Sequence, residues 1–252
     1  MKKAVISVIM ALCMLLCILP VSAAEAQNSG SFSILNINVA GLPDFNHLLG
    51  KSDAVDVEAK EKVFGGELEK SGIDFIAVQE DFNYHDTLAG EMTSYSYVTN
   101  HSGGVPFGDG LNIYSKTPIY NTEREEWNTR YGVFNEGDEL TPKGILYSVV
   151  EIADGVYADL YVIHADAFDT EGSVAARKDN YKQLAEMIKK HNSDRPVIVT
   201  GDFNISFHLA KWDYSAVALK EIFVDELGLK EAWVEVNNKA QSQILWDFRF
   251  LS

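Results

Sequence analysis

A carboxylate and a carboxamide stand two residues apart where a short apolar run ends. The run is Val197–Thr200, and Gly201 leads from it to Asp202 and Asn204. Glycine permits a tight turn, and residues two apart on extended backbone point to the same side. Oxygen donors of this kind bind hard divalent cations and contact phosphate groups. The segment predicts a strand that ends in a site for phosphate chemistry, with an ordinary structural turn as the alternative.

Three further predicted strands end in polar side chains. The first ends at Asn38, the next at Glu80 and a later one at His164. If these ends converge with Asp202 on one sheet edge, they form a site of few carboxylates, one imidazole and two amides. Such a site suits one Mg²⁺-like ion and a phosphate.

The pattern of apolar residues predicts the strands and helices that would position these side chains. The pattern predicts strands bounded by turn residues and a hairpin across residues 153–156; the strands are Phe32–Asn38, Ile73–Gln79, Leu111–Tyr114, Ile145–Ile152, Tyr157–Ile163 and Val197–Thr200. It predicts helices over Val55–Lys70 and Ser173–Lys190, and a helix-like run over Ala216–Leu229. The predicted class is α+β: a four-layer α/β sandwich of two mostly antiparallel sheets face to face, with outer helices.

The N-terminal residues predict a secretory signal peptide. Lys2 and Lys3 precede an apolar run from Ala4 to Leu19 and the small-residue site Val21-Ser22-Ala23. We therefore expect a secreted protein with a signal peptide (1–23), a linker (24–31) and one domain (32–252). Cleavage after Ala23, Ala24 or Ala26 fits equally, and an uncleaved membrane anchor is the alternative. Both cysteines of the chain lie in this leader.

The net charge of the chain indicates which substrates it can attract. The formal net charge is −16, which repels nucleic acid and anionic membranes at long range. A bound metal ion makes the local potential positive, so nuclease activity remains an alternative. We expect a monomer without a stable protein partner, acting on a phosphodiester whose phospholipid head group is favoured over nucleic acid.

These motifs, in this order, resemble the endonuclease/exonuclease/phosphatase superfamily, and within it a secreted branch near the neutral sphingomyelinases. The segments that carry the resemblance are Asn38–Pro43, Gln79–His85, Ser102–Asn112, Lys143-Gly144, His164 and Gly201–Asn204. The resemblance implies a Mg²⁺-dependent phosphodiester hydrolase. It makes Glu80 the principal metal ligand and Asn38 its helper. It assigns the scissile phosphate to His164, and the attacking water and a phosphate oxygen to Asp202 and Asn204.

Other polar residues lie close enough in sequence to contact substrate. Asn83 and Tyr84 follow Glu80, Asn112 lies at the expected site edge, and Lys143 precedes a strand, where a solvated loop lysine is the alternative. Three histidines in polar segments are interpreted as surface loop residues, with metal ligation as the alternative: His47, His85 and His101.

The C-terminal residues depart from the family pattern. The family closes with an Asp-His motif whose histidine is the general base, and no such motif follows Asn204 here. Neither His191 nor His208 is preceded by aspartate. We therefore expect a domain without its last strands and with impaired catalysis. A secreted nuclease and a non-catalytic relative remain the alternatives to a sphingomyelinase-like hydrolase.

Overall fold

The computed structural model describes residues 31–43, 56–132, 141–191, 193–205 and 214–237. The predicted signal peptide, His47, His208 and the tail from residue 238 lie outside this part of the chain. Within it, no helix combines the length and the apolar character needed to cross a membrane.

Two sheets of four strands each form the centre of the molecule. The first sheet has the order β1-β2-β4-β3, with β1 and β2 parallel and the other pairs antiparallel. Its strands are β1 (Ile34–Asn38), β2 (Phe75–Gln79), β3 (Tyr97–Val98) and β4 (Asn112–Ser115).

The second sheet has the order β5-β6-β7-β8, with β7 and β8 parallel and the other pairs antiparallel. Its strands are β5 (Ile119–Glu126), β6 (Gly144–Ala153), β7 (Val156–His164) and β8 (Val197–Asp202). In each sheet one parallel pair therefore places two strand ends side by side at the same edge.

Helices cover the outer faces. They are α1 (Val57–Ser71), α2 (His85–Glu91), α3 (Glu171–His191), α4 (Ser215–Leu219), which continues as a π-helical segment over Lys220–Glu226, and α5 (Ala232–Asn237). Helix α1 begins where the Asp56 carboxylate accepts from the amide of Ala59, and it ends at Gly72 with a φ of 69°. Both are standard helix end signals.

Three apolar clusters separate the layers. The middle cluster joins the two sheets, for example through Phe75 and Ile113 of the first and Leu146 and Leu160 of the second. The outer clusters pack α1 and α2 against the first sheet, and α3 with the π-helical segment against the second. The predicted four-layer sandwich with mostly antiparallel sheets is confirmed.

Four elements were not predicted from the sequence, namely β3, β5, α2 and α5. Strand β5 carries Glu123, Arg124, Glu125 and Glu126 on a mostly half-buried or exposed ribbon, so it lacks the apolar alternation that marks a strand. Helix α2 has seven residues, too few for a clear helical period.

Candidate active site

The strand ends of the two parallel pairs meet between the sheets. Asn38 Nδ2 donates to Glu80 Oε1 at 2.7 Å and to Asp202 Oδ2 at 3.2 Å. His164 Nε2 lies 3.9 Å from each of the same two carboxylate oxygens. Four residues predicted from separate strand ends therefore occupy one cluster, although their chemical roles remain predictions.

Local backbone geometry turns Glu80 into this cluster. Glu80 has a φ of 59°, so the chain leaves β2 abruptly at this residue. Its carbonyl accepts from the amides of Gly41 at 3.0 Å and Phe82 at 2.9 Å. A Cβ at position 41 would lie 2.5 Å from that carbonyl oxygen, so only glycine allows this close approach.

A second glycine sets the position of Asp202. Gly201 has a φ of 144°, and a Cβ there would lie 2.2 Å from the carbonyl oxygen of Ile163. This contact packs β8 tightly against β7. Asn36 Nδ2 donates to the Gly201 carbonyl at 3.1 Å, which ties the first sheet to the same point.

His164 is a buried, neutral imidazole. Its side chain is 2% exposed, and its carbonyl accepts from Trp127 Nε1. Burial lowers the pKa of His164 well below its usual value, and the charge of Lys143 lowers it further. A neutral imidazole retains one N–H that can donate to a phosphate oxygen.

The charge of the cluster fits a bound cation. Glu80 and Asp202 present carboxylate oxygens to a common centre, and their side chains are 20% and 31% exposed. The imidazole between them carries no charge to balance two carboxylates. Oxygen donors that remain partly open to solvent suit Mg²⁺, which keeps several of its waters. Glu80 and Asp202 would hold the ion.

Asn38 and Asn204 support the carboxylates. Asn38 directs its amide nitrogen at Glu80 and Asp202, while its Oδ1 accepts from the amide of Ala40 at 2.9 Å. The amide of Asn204 donates to Asp202 Oδ1 at 3.0 Å, and Asn204 Nδ2 donates to the Ala165 carbonyl at 2.9 Å. Asn204 thus links the ends of β7 and β8, while metal ligation by Asn38 stays a prediction.

Lys143 lies inside the site region and is not a solvated loop residue. It is 6% exposed, and its Nζ lies 3.4 Å from the Ala165 carbonyl. A buried cation beside His164 adds positive potential near the place expected for the phosphate. Contact between Lys143 and substrate stays a prediction.

Asn112 is fully buried in β4. Its Nδ2 donates to Asp81 Oδ2 at 2.8 Å, and its Oδ1 accepts from Thr99 and Arg124. These bonds hold the side chain inside the sheet. Contact between Asn112 and a substrate stays a prediction.

Asn83 and Tyr84 lie in the turn between β2 and α2. The Asn83 carboxamide is exposed and accepts from the amide of Val105 at 3.2 Å. It therefore holds the loop Ser102–Asp109. Tyr84 is half-buried, and its carbonyl accepts from the amides of Thr87 and Leu88 at the start of α2. Substrate contacts by both residues stay predictions.

A polar cluster next to Glu80 was missed in the sequence. Asp81 is 2% exposed, and its Oδ2 accepts from Asn112, from the Tyr114 hydroxyl at 3.1 Å and from His85 Nδ1 at 2.7 Å. His85 belongs to helix α2 and is half-buried, which corrects its interpretation as a surface loop residue. Asp81 lies in the turn before α2, so no helical spacing in the sequence marked this pair.

His191 lies away from the site. Its Nδ1 is 2.7 Å from the Tyr161 hydroxyl, and its Nε2 is 3.4 Å from Glu123 Oε2. It therefore does not join the carboxylates of Glu80 and Asp202. The expected loss of the last strands and the impaired catalysis concern, in part, residues that the structure does not describe, and both stay predictions.

Sequence comparisons identify the family of this chain. The family model described as the Endonuclease/Exonuclease/phosphatase family matches residues 35–219, a range that contains every site residue named above. The chain belongs to this family. It is also similar to proteins named sphingomyelinase from Mycobacterium bovis and Mycobacterium tuberculosis, with 33% identity over 218 residues. That match covers 83% of this chain but 40% of each relative, so the chain spans about two-fifths of their length.

Solved structures share the architecture. Sphingomyelinase C from Streptomyces griseocarneus superposes with a TM-score of 0.60 and 20% identity, over 76% of this chain and 69% of that one. A beta-toxin variant from Staphylococcus aureus with bound magnesium ions gives a TM-score of 0.62 and 19% identity, over 76% and 70% of the two chains. At these identities the likeness establishes the fold.

Proposed function

We propose that this chain is a secreted, Mg²⁺-dependent phosphodiester hydrolase that acts on phospholipid head groups, in the manner of a sphingomyelinase. The observation that carries the proposal is the convergence of the Glu80 and Asp202 carboxylates on Asn38 and the neutral His164. The names of the mycobacterial relatives support the substrate class.

The side chains of this site divide the chemistry among them. When bound, a divalent cation polarises a phosphate oxygen and offsets the charge that develops on it. His164 donates its remaining N–H to the phosphate. Lys143, buried beside His164, adds positive potential at the phosphate. Asp202 accepts a hydrogen bond from the attacking water and so orients it toward phosphorus. Asn38 and Asn204 hold the two carboxylates in position.

The contacts of Arg124 and Arg130 favour a lipid over a nucleic acid as the substrate. Arg124 donates to both Asp109 oxygens, at 2.6 and 2.7 Å, and to the Leu111 carbonyl. Arg130 lies 3.8 Å from Glu126. These arginines are engaged with the protein itself, and a net charge of −16 surrounds them. A nuclease needs such cations to hold its strand.

Two assays run side by side test the proposal. We expect Mg²⁺-dependent release of phosphocholine from sphingomyelin, lost with EDTA and in Asp202→Asn, with no nicking of plasmid DNA. Nicking without phosphocholine release would identify a nuclease instead. Inactivity in both assays, with Mg²⁺ still bound, would identify a non-catalytic relative. Signal-peptide removal and export are checked by N-terminal sequencing of protein from the culture medium.

A further inference from the structure

Two imidazoles and one carboxylate meet on the side of Glu80 that faces helix α2. One donor atom from each of Asp81, His85 and His101 lies within 4.8 Å of the other two. His85 Nδ1 is 2.7 Å from Asp81 Oδ2, and His101 Nε2 is 2.9 Å from the Asp81 carbonyl. The three residues come from the turn after β2, from α2 and from the loop before β4.

The donor types separate this cluster from the Glu80 site. Imidazole nitrogen suits Zn²⁺ and its transition-metal neighbours, whereas Mg²⁺ prefers oxygen donors and waters. We propose that Asp81, His85 and His101 form a second metal site, selective for Zn²⁺ over Mg²⁺ and independent of the proposed hydrolase activity.

The surroundings of Asp81 are those of a ligating carboxylate. Asn112 and the Tyr114 hydroxyl donate to its Oδ2 from the buried strand β4. Both donors are themselves fully buried. Hydrogen bonds of this kind orient the ligands of metal sites and contribute to their affinity. The site therefore has a rigid wall on the sheet side.

The two histidines form the less enclosed side of the proposed metal site. Their rings stack in parallel with centroids 4.2 Å apart, and both are half-buried rather than enclosed. One nitrogen of each ring already lies within 4.8 Å of an Asp81 carboxylate oxygen. The ion takes the place of the proton shared by His85 Nδ1 and Asp81 Oδ2, and that proton passes to solvent. Three protein ligands and a water complete a tetrahedral zinc site.

Such an ion would join the turn after Glu80 to the segment that precedes β4. Asp81 directly follows Glu80, and His101 precedes the glycine-containing loop Ser102–Asp109. That loop is already attached to the same turn by Asn83. Zinc would add a cross-link at its base. Its expected effect is on the stability of the loop, and only indirectly on turnover.

Zinc titration by calorimetry tests the site. Cys13 and Cys17 are first replaced by serine in every protein, so that thiolates do not compete. We expect one Zn²⁺-binding event that persists in Glu80→Gln and in the presence of excess Mg²⁺. His101→Gln and His85→Gln should each weaken this event by at least about 10- to 100-fold. Asp86→Asn, an exposed carboxylate on the same helix, should leave it unchanged.

A second measurement guards against misfolded variants. Zn²⁺ should raise the thermal midpoint of the unaltered protein and of Asp86→Asn, but not that of His101→Gln, and all three should melt alike with EDTA. Equal zinc affinity in the unaltered protein and His101→Gln would overturn the proposal, as would the absence of any event that survives Glu80→Gln. Loss of phosphocholine release in Glu80→Gln with zinc binding intact separates this proposal from the function proposed above.

Discussion

The carboxamide of Asn38 bonds to the carboxylate of Glu80 at 2.7 Å, across the ends of two parallel strands. The same nitrogen reaches Asp202 in the other sheet. One neutral side chain thus holds two acidic groups close together without neutralising them. The arrangement leaves their charge available to a cation.

Replacement of Glu80 by glutamine should abolish most Mg²⁺ binding. An amide oxygen is a weaker ligand for a hard cation than a full carboxylate, and the site has few carboxylates. We expect Mg²⁺ affinity and phosphodiester hydrolysis to fall by at least about 100-fold, measured by calorimetry and phosphocholine release. Glu67→Gln, on the exposed face of α1, is the control. Unchanged Mg²⁺ affinity in Glu80→Gln would show that the ion binds elsewhere.

His164 should stay neutral through the pH range in which most histidines titrate. Burial and the charge of Lys143 lower its pKa well below 6.5. Below about pH 6.5 the unfolded chain therefore binds a proton at His164 that the folded chain does not bind. This histidine contributes to stability above about pH 6.5, and the contribution is lost as the pH falls below that value.

Substitution of Lys143 by methionine tests the electrostatic part of this effect. The pKa of His164 should rise in Lys143→Met but remain below 6.5, because burial is the larger cause. NMR of the imidazole carbons between pH 8 and pH 5 would follow it, with Lys182→Met on the exposed side of α3 as the control. Titration of His164 near pH 6.5 in the unaltered protein would refute the assignment.

Glu61 should make the protein less stable at alkaline pH. It is 1% exposed in helix α1, and burial raises its pKa to about 7 although Lys60 opposes the shift. Neither of its oxygens has a hydrogen-bond partner among the described residues. The folded state keeps a proton that the unfolded state loses above about pH 4.5, so stability falls as the pH rises from 4.5 through 7.

The variant Glu61→Gln mimics the protonated side chain. It should match the unaltered protein at pH 4 and exceed it at pH 8 by up to about 3 kcal/mol, from about 1.4 kcal/mol per pKa unit. Urea denaturation at both pH values measures this difference. The exposed Glu58→Gln should show none. Equal stability of Glu61→Gln and the unaltered protein at pH 8 would contradict the burial argument.

Two Gly→Ala substitutions should change the stability of the protein in opposite directions. In Gly201→Ala the new methyl group would meet the Ile163 carbonyl at 2.2 Å, on backbone that L residues rarely adopt. We expect the free energy of unfolding to fall by on the order of 3 kcal/mol, together with displacement of Asp202 and loss of Mg²⁺ binding.

In Gly66→Ala the methyl group meets nothing within 4 Å on helix α1, so stability should rise by up to about 1 kcal/mol. A stable, metal-binding Gly201→Ala protein would contradict this account.

The sequence predicted the strands that bear the site because their apolar runs end abruptly in polar residues. Asn38, Glu80, His164 and Asp202 each follow such a run, and parallel strand ends meet at one edge. The burial of Asn112 could not be predicted, because its sequence neighbours are those of a site edge. Only the packing of β4 reveals that its side chain bonds to Asp81 and Arg124.

Contacts between distant side chains carry no local signal. The Asp81, His85 and His101 cluster depends on how the loop before β4 folds back, which no periodicity records. The same holds for the burial of Lys143, since its charge suggests a solvated residue. Its neighbours Gly144 and Ile145 become buried only when β6 enters the sheet.

The bond between Asn38 and Asp202 closes a loop of 164 residues. Each sheet supplies one carboxylate of the proposed cation site, Glu80 from the first and Asp202 from the second, so neither half of the chain would hold the cation alone. Because distant contacts form slowly and at an entropic cost, the site should be among the last features to form as the protein folds. If the proposed site binds Mg²⁺, a chain that has folded only in part would be metal-free and inactive. Magnesium affinity would then measure directly whether the two sheets have come together.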